Sequence, residues 1–196
     1  MASQVELTTV QAAPRAATAW LELAGSVALA VTLLALAASI AVPLPGTPVP
    51  VTLQDLTVLA VGLALGTRRG ALAVGTYVLL GALGAPVFSN GAGGLGWLMG
   101  PTGGYLLAFP VSAAVIGLAG ASRRLLPMLG GLAAAHAATF SGGLLQLALV
   151  TGMDAGDAVA AGLLPFIPGI AIKSALLIAG WAAWLKLSGA EGTGED

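Results

Sequence analysis

Long apolar runs, separated by short polar or glycine- and proline-rich segments, follow one another along most of the chain. A run of about 20 apolar residues is long enough to cross the hydrocarbon core of a membrane as a helix. The pattern predicts six such helices, over residues 20–42, 49–66, 70–88, 100–120, 127–150 and 163–187. The second is the weakest, because Pro50, Gln54 and Asp55 interrupt its start. We therefore predict an all-α membrane protein with six transmembrane helices.

The composition supports this assignment. Of the 196 residues, 58% are hydrophobic and 8% are charged, whereas soluble domains carry about 25% charged residues. The chain has no cysteine, which excludes disulfides and thiolate metal sites, and we expect no metal or cofactor. We expect residues 1–19 to be a polar cytoplasmic N-terminus, residues 20–187 the membrane domain, and residues 188–196 a disordered cytoplasmic tail.

The basic residues predict the orientation of the six helices. If the N-terminus is cytoplasmic, six of the seven basic residues fall on the cytoplasmic side of the membrane: Arg15, Arg68, Arg69, Arg123, Arg124 and Lys186. Positive residues favour the cytoplasmic side of a membrane. The segments left outside, 42–50, 85–96 and 151–162, carry no lysine or arginine, and the first two are rich in proline or glycine. We expect irregular outer loops, both termini in the cytoplasm, and a location in the inner or plasma membrane.

Lys173, the seventh basic residue, lies five residues past Pro168, or about 7 Å along the sixth predicted helix if its outer end is taken at Pro168. A lysine at the centre of a membrane helix costs about 2.5–3.5 kcal/mol, so such a residue usually has a function. Two structural alternatives are that Lys173 reaches the outer surface, or that it pairs with a carboxylate such as Asp154 or Asp157 in the preceding loop. The functional interpretation is capture of a ligand carboxylate, which Lys173 and the positive end of the helix beginning near Pro168 would both attract.

An intramembrane serine protease is another class to weigh, since Ser141 lies beside two glycines and His136 is the single histidine. A serine nucleophile needs its base within hydrogen-bonding distance. A separation of five residues places the two side chains about 140° apart around one helix, so they cannot pair. We expect no enzymatic activity and interpret His136 as a hydrogen-bonded interior residue. Glu22 and Asp55 are interpreted as interfacial residues near helix ends.

Five motifs carry a resemblance to a known family. They are VPLPGTPVPVTLQ (42–54), LGTRRGALAV (65–74), LLGALGAPVF (79–88), GGLGWLMGPTGGYL (93–106) and PFIPGIAIK (165–173). In this order and spacing they resemble the BioY proteins, the biotin-binding S-components of energy-coupling-factor transporters. The resemblance implies a subunit that captures biotin from the outer side. A transmembrane T-component and ATPase subunits would supply ATP hydrolysis, and this chain itself lacks a P-loop.

Other functions remain open on the sequence alone. One is an S-component for another small carboxylated vitamin, and a second is a stand-alone biotin carrier. A structural or assembly protein of the membrane is a third class, although such a protein would not need Lys173.

The resemblance also implies that the glycine-rich segment forms part of the binding pocket. The predicted ligand-binding residues are therefore Lys173, Asn90, Gly93, Thr102, Gly103 and Tyr105. The segment 91–105 contains seven glycines, which let the backbone approach a flat fused ring, and the amide of Asn90 suits a ureido group. A passive outer loop is the alternative. One departure is Ile170, where the family commonly has an aspartate that would neighbour the lysine on a helix. Lys173 therefore lacks that local counter-ion.

Small residues at a spacing of four on the first predicted helix indicate a partner surface. The pairs are Ala24 with Ala28 and Ala37 with Ala41. Small residues let membrane helices approach each other closely. The resemblance implies that these pairs contact the transport module, and ordinary internal packing is the alternative.

Overall fold

A computed structural model describes the backbone of residues 2–190 and the side chains of residues 18–188. Within that part the chain is almost entirely helical, with α1 (Ala2–Ser39), α2 (Gln54–Ala82), α3 (Leu95–Leu98), α4 (Gly103–Gly120), α5 (Leu125–Thr151), α6 (Ala155–Gly162) and α7 (Ile167–Ala190). Short 3₁₀ turns over Ser89–Gly91 and Leu164–Phe166 precede α3 and α7. Five described segments are long and apolar enough to cross a membrane. The prediction of an all-α membrane protein is confirmed.

α2 is a hairpin folded at Gly66. This glycine has φ +76° and ψ 178°, a conformation that residues with a side chain rarely adopt. Gln54 and Tyr77 would lie about 35 Å apart along a straight helix, yet Gln54 Nε2 donates to Tyr77 Oη at 2.6 Å. The two arms, 54–65 and 67–82, therefore run antiparallel. They correspond to the second and third predicted helices, although the second arm ends at Ala82 rather than at residue 88, so all six predicted helices are present.

The start of α2 is later than predicted. Residues 49–53 are not helical, and the extended stretch around Val51 pairs with Val42 through two backbone hydrogen bonds of 2.8 and 2.9 Å. Pro50 lacks an N–H and cannot continue a helical hydrogen-bond ladder, which explains the delay. The extended segment stays at the outer end of α2, where it borders the site described below.

The outer segment 151–162 is not irregular, because it contains α6. The Asp154 carboxylate caps this helix by accepting from the Asp157 N–H at 2.9 Å. This hydrogen bond pairs one of the first-turn N–H groups that have no partner within the helix. The terminal boundaries also differ, since α1 begins before residue 20 and residues 188–190 continue α7. The rest of the predicted tail, 191–196, lies outside the described residues.

α4 lies at the centre of the bundle and packs against both α2 and α5. Its contact with α2 depends on glycine: a Cβ added at Gly62 would lie 2.6 Å from Ile116 Cγ2, and one at Gly117 would lie 2.7 Å from the Gly62 carbonyl oxygen. The contact with α5 includes a buried hydrogen bond of 2.7 Å between the Ser112 and Thr139 hydroxyls. Close backbone approach and buried hydroxyl pairs are both usual between membrane helices.

The small residues predicted to form a partner surface fall in different environments. Ala24 and Ala28 are exposed on α1, whereas Ala37 is buried with 9% of its surface exposed. Ala41 follows the end of α1 and is half-buried. Ala37 therefore packs inside the fold, which is the alternative weighed for these pairs. Ala24 and Ala28 remain open to a partner.

Candidate ligand-binding site

A cavity of about 200 Å³ lies where the N-terminal ends of α2, α4 and α7 meet the non-helical segment 44–52. Its wall is mostly apolar and includes five aromatic side chains: Trp97, Tyr105, Phe109, Phe140 and Phe166. A small, mostly apolar cavity with a few polar groups is suited to a compact metabolite.

The aromatic wall joins three elements. The rings of Tyr105 on α4 and Phe140 on α5 meet edge to face, with centroids 5.8 Å apart and an interplanar angle of 88°. Phe140 also contacts Phe166, in the turn before α7, at a centroid distance of 6.4 Å. Such pairs stabilise beyond the area they bury. Three of the five wall rings are therefore held in place by contacts with one another.

Lys173 and Asp55 form an ion pair at the polar end of the cavity. Lys173 Nζ lies 2.6 Å from Asp55 Oδ1 and 2.6 Å from the Thr52 carbonyl oxygen. The two side chains are 13% and 24% exposed and both line the cavity. Lys173 therefore pairs with a carboxylate, which was one of the structural alternatives, although it lacks the local counter-ion that an acid at position 170 would supply. Asp55, interpreted from the sequence as an interfacial residue, is a cavity residue, and neither Asp154 nor Asp157 takes its place.

The local sequence explains why Asp55 can meet Lys173. The extended residues around Pro50 delay the helix until Gln54, so Asp55 falls in the first turn of α2. A carboxylate is stabilised there by the positive end of the helix dipole. The Thr52 hydroxyl accepts from the Gln54 N–H at 3.2 Å, while the Thr52 carbonyl accepts from Lys173. The start of α2 thus supplies both oxygen atoms that hold the ammonium.

Three side chains donate hydrogen bonds to backbone carbonyls of the outer segments. The bonds are Tyr77 Oη to Val87 O (2.8 Å), Tyr105 Oη to Gly162 O (2.8 Å), and Gln146 Nε2 to Leu98 O (2.6 Å) and Gly100 O (2.8 Å). Carbonyls outside regular ladders need such partners when they are buried. The bonds therefore fasten the segments that contain α3 and α6 to the helices beneath them.

The comparison with protein families agrees with the motifs. Residues 11–189 match the model of the BioY family. The chain belongs to the BioY family. The resemblance found in the sequence is confirmed.

Curated BioY relatives cover most of the chain. A probable biotin transporter BioY from Pyrococcus horikoshii is 40% identical over 152 residues, which cover 78% of this chain and 89% of the relative. The biotin transporter BioY from Rhodobacter capsulatus is 41% identical over 148 residues, or 68% and 76% of the two chains.

A solved structure supports the BioY fold. It is the crystal structure of the S-component for biotin from an ECF-type ABC transporter, which superposes with a TM-score of 0.75 at 24% identity. The superposition covers 86% of this chain and 93% of that one.

Three of the six binding residues predicted for this BioY chain line the cavity: Lys173, Thr102 and Tyr105. Tyr105 contributes its ring, since its hydroxyl is bonded to the Gly162 carbonyl. Ile170, at the position where an aspartate was expected, also lines the wall. The acid that pairs with Lys173 comes instead from α2.

The other three predicted residues, Asn90, Gly93 and Gly103, do not line the cavity. Asn90 is exposed and has φ +59°. The two glycines permit close backbone contacts: a Cβ at Gly93 would collide with the Ala85 carbonyl oxygen, and one at Gly103 with that of Leu98. Glycine at these two positions lets the glycine-rich segment pack tightly against its neighbours.

Sequence reasoning missed Asp55 and four of the aromatic wall residues. Asp55 carried one usable signal, an acid at the outer end of a predicted membrane helix and thus at the end where Lys173 lies. His136, by contrast, is the hydrogen-bonded interior residue that was expected, because its Nε2 lies 3.0 Å from the Ser174 hydroxyl. Ser141 is exposed and takes no part in that contact.

Proposed function

We propose that the chain is a membrane subunit that captures biotin from the outer side of the cell membrane. The observation that carries the proposal is the Lys173–Asp55 pair at the end of a small aromatic cavity. Small-molecule sites typically combine an apolar wall with a few polar groups that fix orientation. The two relatives are named as biotin transporters, and the solved neighbour is an S-component for biotin.

The ion pair favours the ureido group of biotin over its carboxylate. An ammonium has three donors, and Asp55 and Thr52 accept two of those on Lys173, which leaves one for a ligand. The second carboxylate oxygen of Asp55 supplies an acceptor. Together they match a cyclic urea, whose carbonyl accepts and whose N–H groups donate. A ligand carboxylate would be repelled by Asp55, so we replace the carboxylate with the urea as the group that contacts Lys173.

Binding of biotin and of its uncharged amide to Lys173→Met separates the two orientations. Losing a hydrogen bond to a charged group costs about 1.5–3 kcal/mol, or about one to two decades in affinity. With the urea at the ion pair, biotin and the amide should weaken equally. With the carboxylate there, only biotin should weaken. Titration calorimetry on the purified protein measures both affinities.

Two further variants control this experiment. Lys186→Met removes an exposed lysine that does not line the cavity, so both affinities should stay at the parental value. Asp55→Asn combined with Lys173→Met avoids leaving an unpaired carboxylate and should bind as weakly as Lys173→Met. Parental binding by Lys173→Met would show that the site is elsewhere.

Delivery of biotin is proposed to depend on a T-component and ATPase subunits of an energy-coupling-factor module. The family membership supports this role, and the sequence has no P-loop of its own. Mass spectrometry of small molecules retained by the purified protein tests the ligand, and biotin is expected. Another carboxylated vitamin would overturn the choice of ligand. Uptake by the chain alone, in cells that lack such a module, would identify a stand-alone carrier.

Capture from the outer side requires the cavity to open outward, with both termini in the cytoplasm. The distribution of basic residues supports this orientation. The chain has no cysteine, so single cysteines report position cleanly. Asp157→Cys and Arg69→Cys both replace exposed residues at opposite ends of the bundle. An impermeant thiol reagent applied to intact cells should label the first and not the second, and the reverse pattern would invert the orientation.

A further inference from the structure

A second cavity, of about 700 Å³, opens between the first arm of α2, the end of α4 and α7. We name it the α2–α7 groove. None of its lining residues borders the ligand cavity. Small and apolar residues form its walls, among them Ala64 on α2, Gly120 on α4 and Gly180 on α7. The groove is therefore separate from the candidate biotin site and different in character.

The length of the groove matches one leaflet of a bilayer. From Leu56 to Ala64 on α2, and from Leu176 to Trp184 on α7, each wall advances about 12 Å. The hydrocarbon core of a membrane is about 30 Å thick, so one leaflet accounts for about 15 Å. Leu176 and Trp184 are 60% and 55% exposed, which leaves the groove open to the surface of the bundle.

Arg123 is the charged residue among those that line the groove. It has φ +53°, a conformation that costs a residue with a side chain about 1–3 kcal/mol. Its guanidinium carbon lies 5.2 Å from the ring centroid of Trp184, and Nη2 donates to Ser188 Oγ at 2.5 Å. Among residues 18–188, no carboxylate lies within ion-pair distance of Arg123. A strained backbone thus holds an unneutralised cation at one end of an apolar groove.

We infer that the α2–α7 groove binds an anionic phospholipid, with one acyl chain along its walls and the phosphate at Arg123. The planar guanidinium fork suits phosphate oxygens, and basic pockets between membrane helices on the cytoplasmic side bind anionic head groups. Charge and length together favour the lipid.

Native mass spectrometry of the delipidated protein with phosphatidylglycerol or phosphatidylcholine tests the inference. One basic side chain near a head group favours an anionic lipid by about fivefold. The parent should bind phosphatidylglycerol more tightly than phosphatidylcholine by about that factor. Arg123→Gln should abolish the preference, whereas Arg124→Gln, which replaces an adjacent exposed arginine outside the groove, should keep it.

Filling the groove tests where the acyl chain lies. No atom lies within 4 Å of a Cβ added at Gly180, so Gly180→Leu projects into open space and should reduce binding of both lipids. Ala64→Leu on the α2 wall should do the same, and the thermal unfolding midpoint of each variant verifies its fold. Equal parental affinity for the two lipids would overturn the inference. So would an equal loss of preference in Arg123→Gln and Arg124→Gln, or undiminished lipid binding by both filled variants.

Discussion

Asp55 makes Lys173 tolerable at its depth in the bundle. A single lysine at the centre of a membrane helix costs about 2.5–3.5 kcal/mol, and a carboxylate at 2.6 Å cancels its net charge. Removing one partner of such a pair is more damaging than replacing both, because it leaves a poorly solvated charge unpaired. The same pair still offers one donor and one acceptor to the cavity. Under the proposed function, stability and ligand recognition would therefore depend on the same two side chains.

Tyr105→Phe distinguishes a structural hydroxyl from a ligand contact. Tyr105 Oη donates to Gly162 O at 2.8 Å, so we expect the free energy of unfolding to fall by about 1–3 kcal/mol as that buried carbonyl loses its donor. The ring and its contact with Phe140 remain. Biotin affinity should therefore change by less than about threefold, or about 0.7 kcal/mol. A titration with denaturing detergent measures the first quantity and calorimetry the second.

The opposite pattern would contradict this assignment. If Tyr105→Phe keeps its stability and loses affinity by about tenfold or more, the hydroxyl contacts the ligand. That result would restore the role that the sequence implied for Tyr105.

At the scale of elements, the α2 hairpin determines which residues share a site. The chain reverses at Gly66, and Gly70 packs so tightly on the first arm that an added Cβ would lie 2.9 Å from Gly62 Cα. The reversal leaves Asp55 and Tyr77 at the same end of the bundle, beside the outer segments. α4 then packs against the hairpin through Gly117. Glycine is required at positions 70 and 117 because a side chain would not fit there, and not because the backbone needs flexibility.

Gly62→Ala and Gly75→Ala are matched substitutions with opposite expected effects. A methyl group at Gly62 would lie 2.6 Å from Ile116 Cγ2, and such overpacking typically costs about 1–3 kcal/mol. No atom lies within 4 Å of a Cβ at Gly75 on the second arm, so alanine there should stabilise the helix by about 0.5–1 kcal/mol. Unfolding in denaturing detergent measures both changes. Equal effects at the two positions would contradict the close contact between α2 and α4.

The sequence predicted the helices well and their irregular ends poorly. Apolar runs determine where a chain crosses the membrane, so the six passes could be predicted from hydrophobicity alone. α6 was missed because eight residues carry little periodicity, although Asp154 followed three residues later by Asp157 was a usable capping signal. Asp55 was missed because it meets Lys173 across 118 residues of sequence. Only the packing of α7 beside α2 brings them together, and no local pattern encodes that.

For the molecule as a whole, α7 is held to the rest of the bundle by three side-chain contacts. Lys173 binds Asp55 near one end, Ser174 bonds His136 beside it, and Ser188 accepts from Arg123 near the other end. Between these contacts only part of the α7 surface is buried, and the α2–α7 groove opens there. The same two elements thus border the candidate biotin cavity at one depth and the groove at another. A change in how α7 packs on α2 would affect both.

The surface of α1 provides the test of how the chain meets a transport module. Ala28 is exposed and Ala37 is buried, so one substitution can separate partner contact from internal packing. Ala28→Trp should lower affinity for the module by about fivefold or more, since overpacking an interface costs about 1–3 kcal/mol. Biotin uptake by cells should then fall, while biotin binding to the purified protein should stay at the parental value. Ala37→Trp should reduce both, because the indole must displace the core. Parental uptake by Ala28→Trp would place the module on another face, and equal loss of uptake and binding would make Ala28 a packing residue as well.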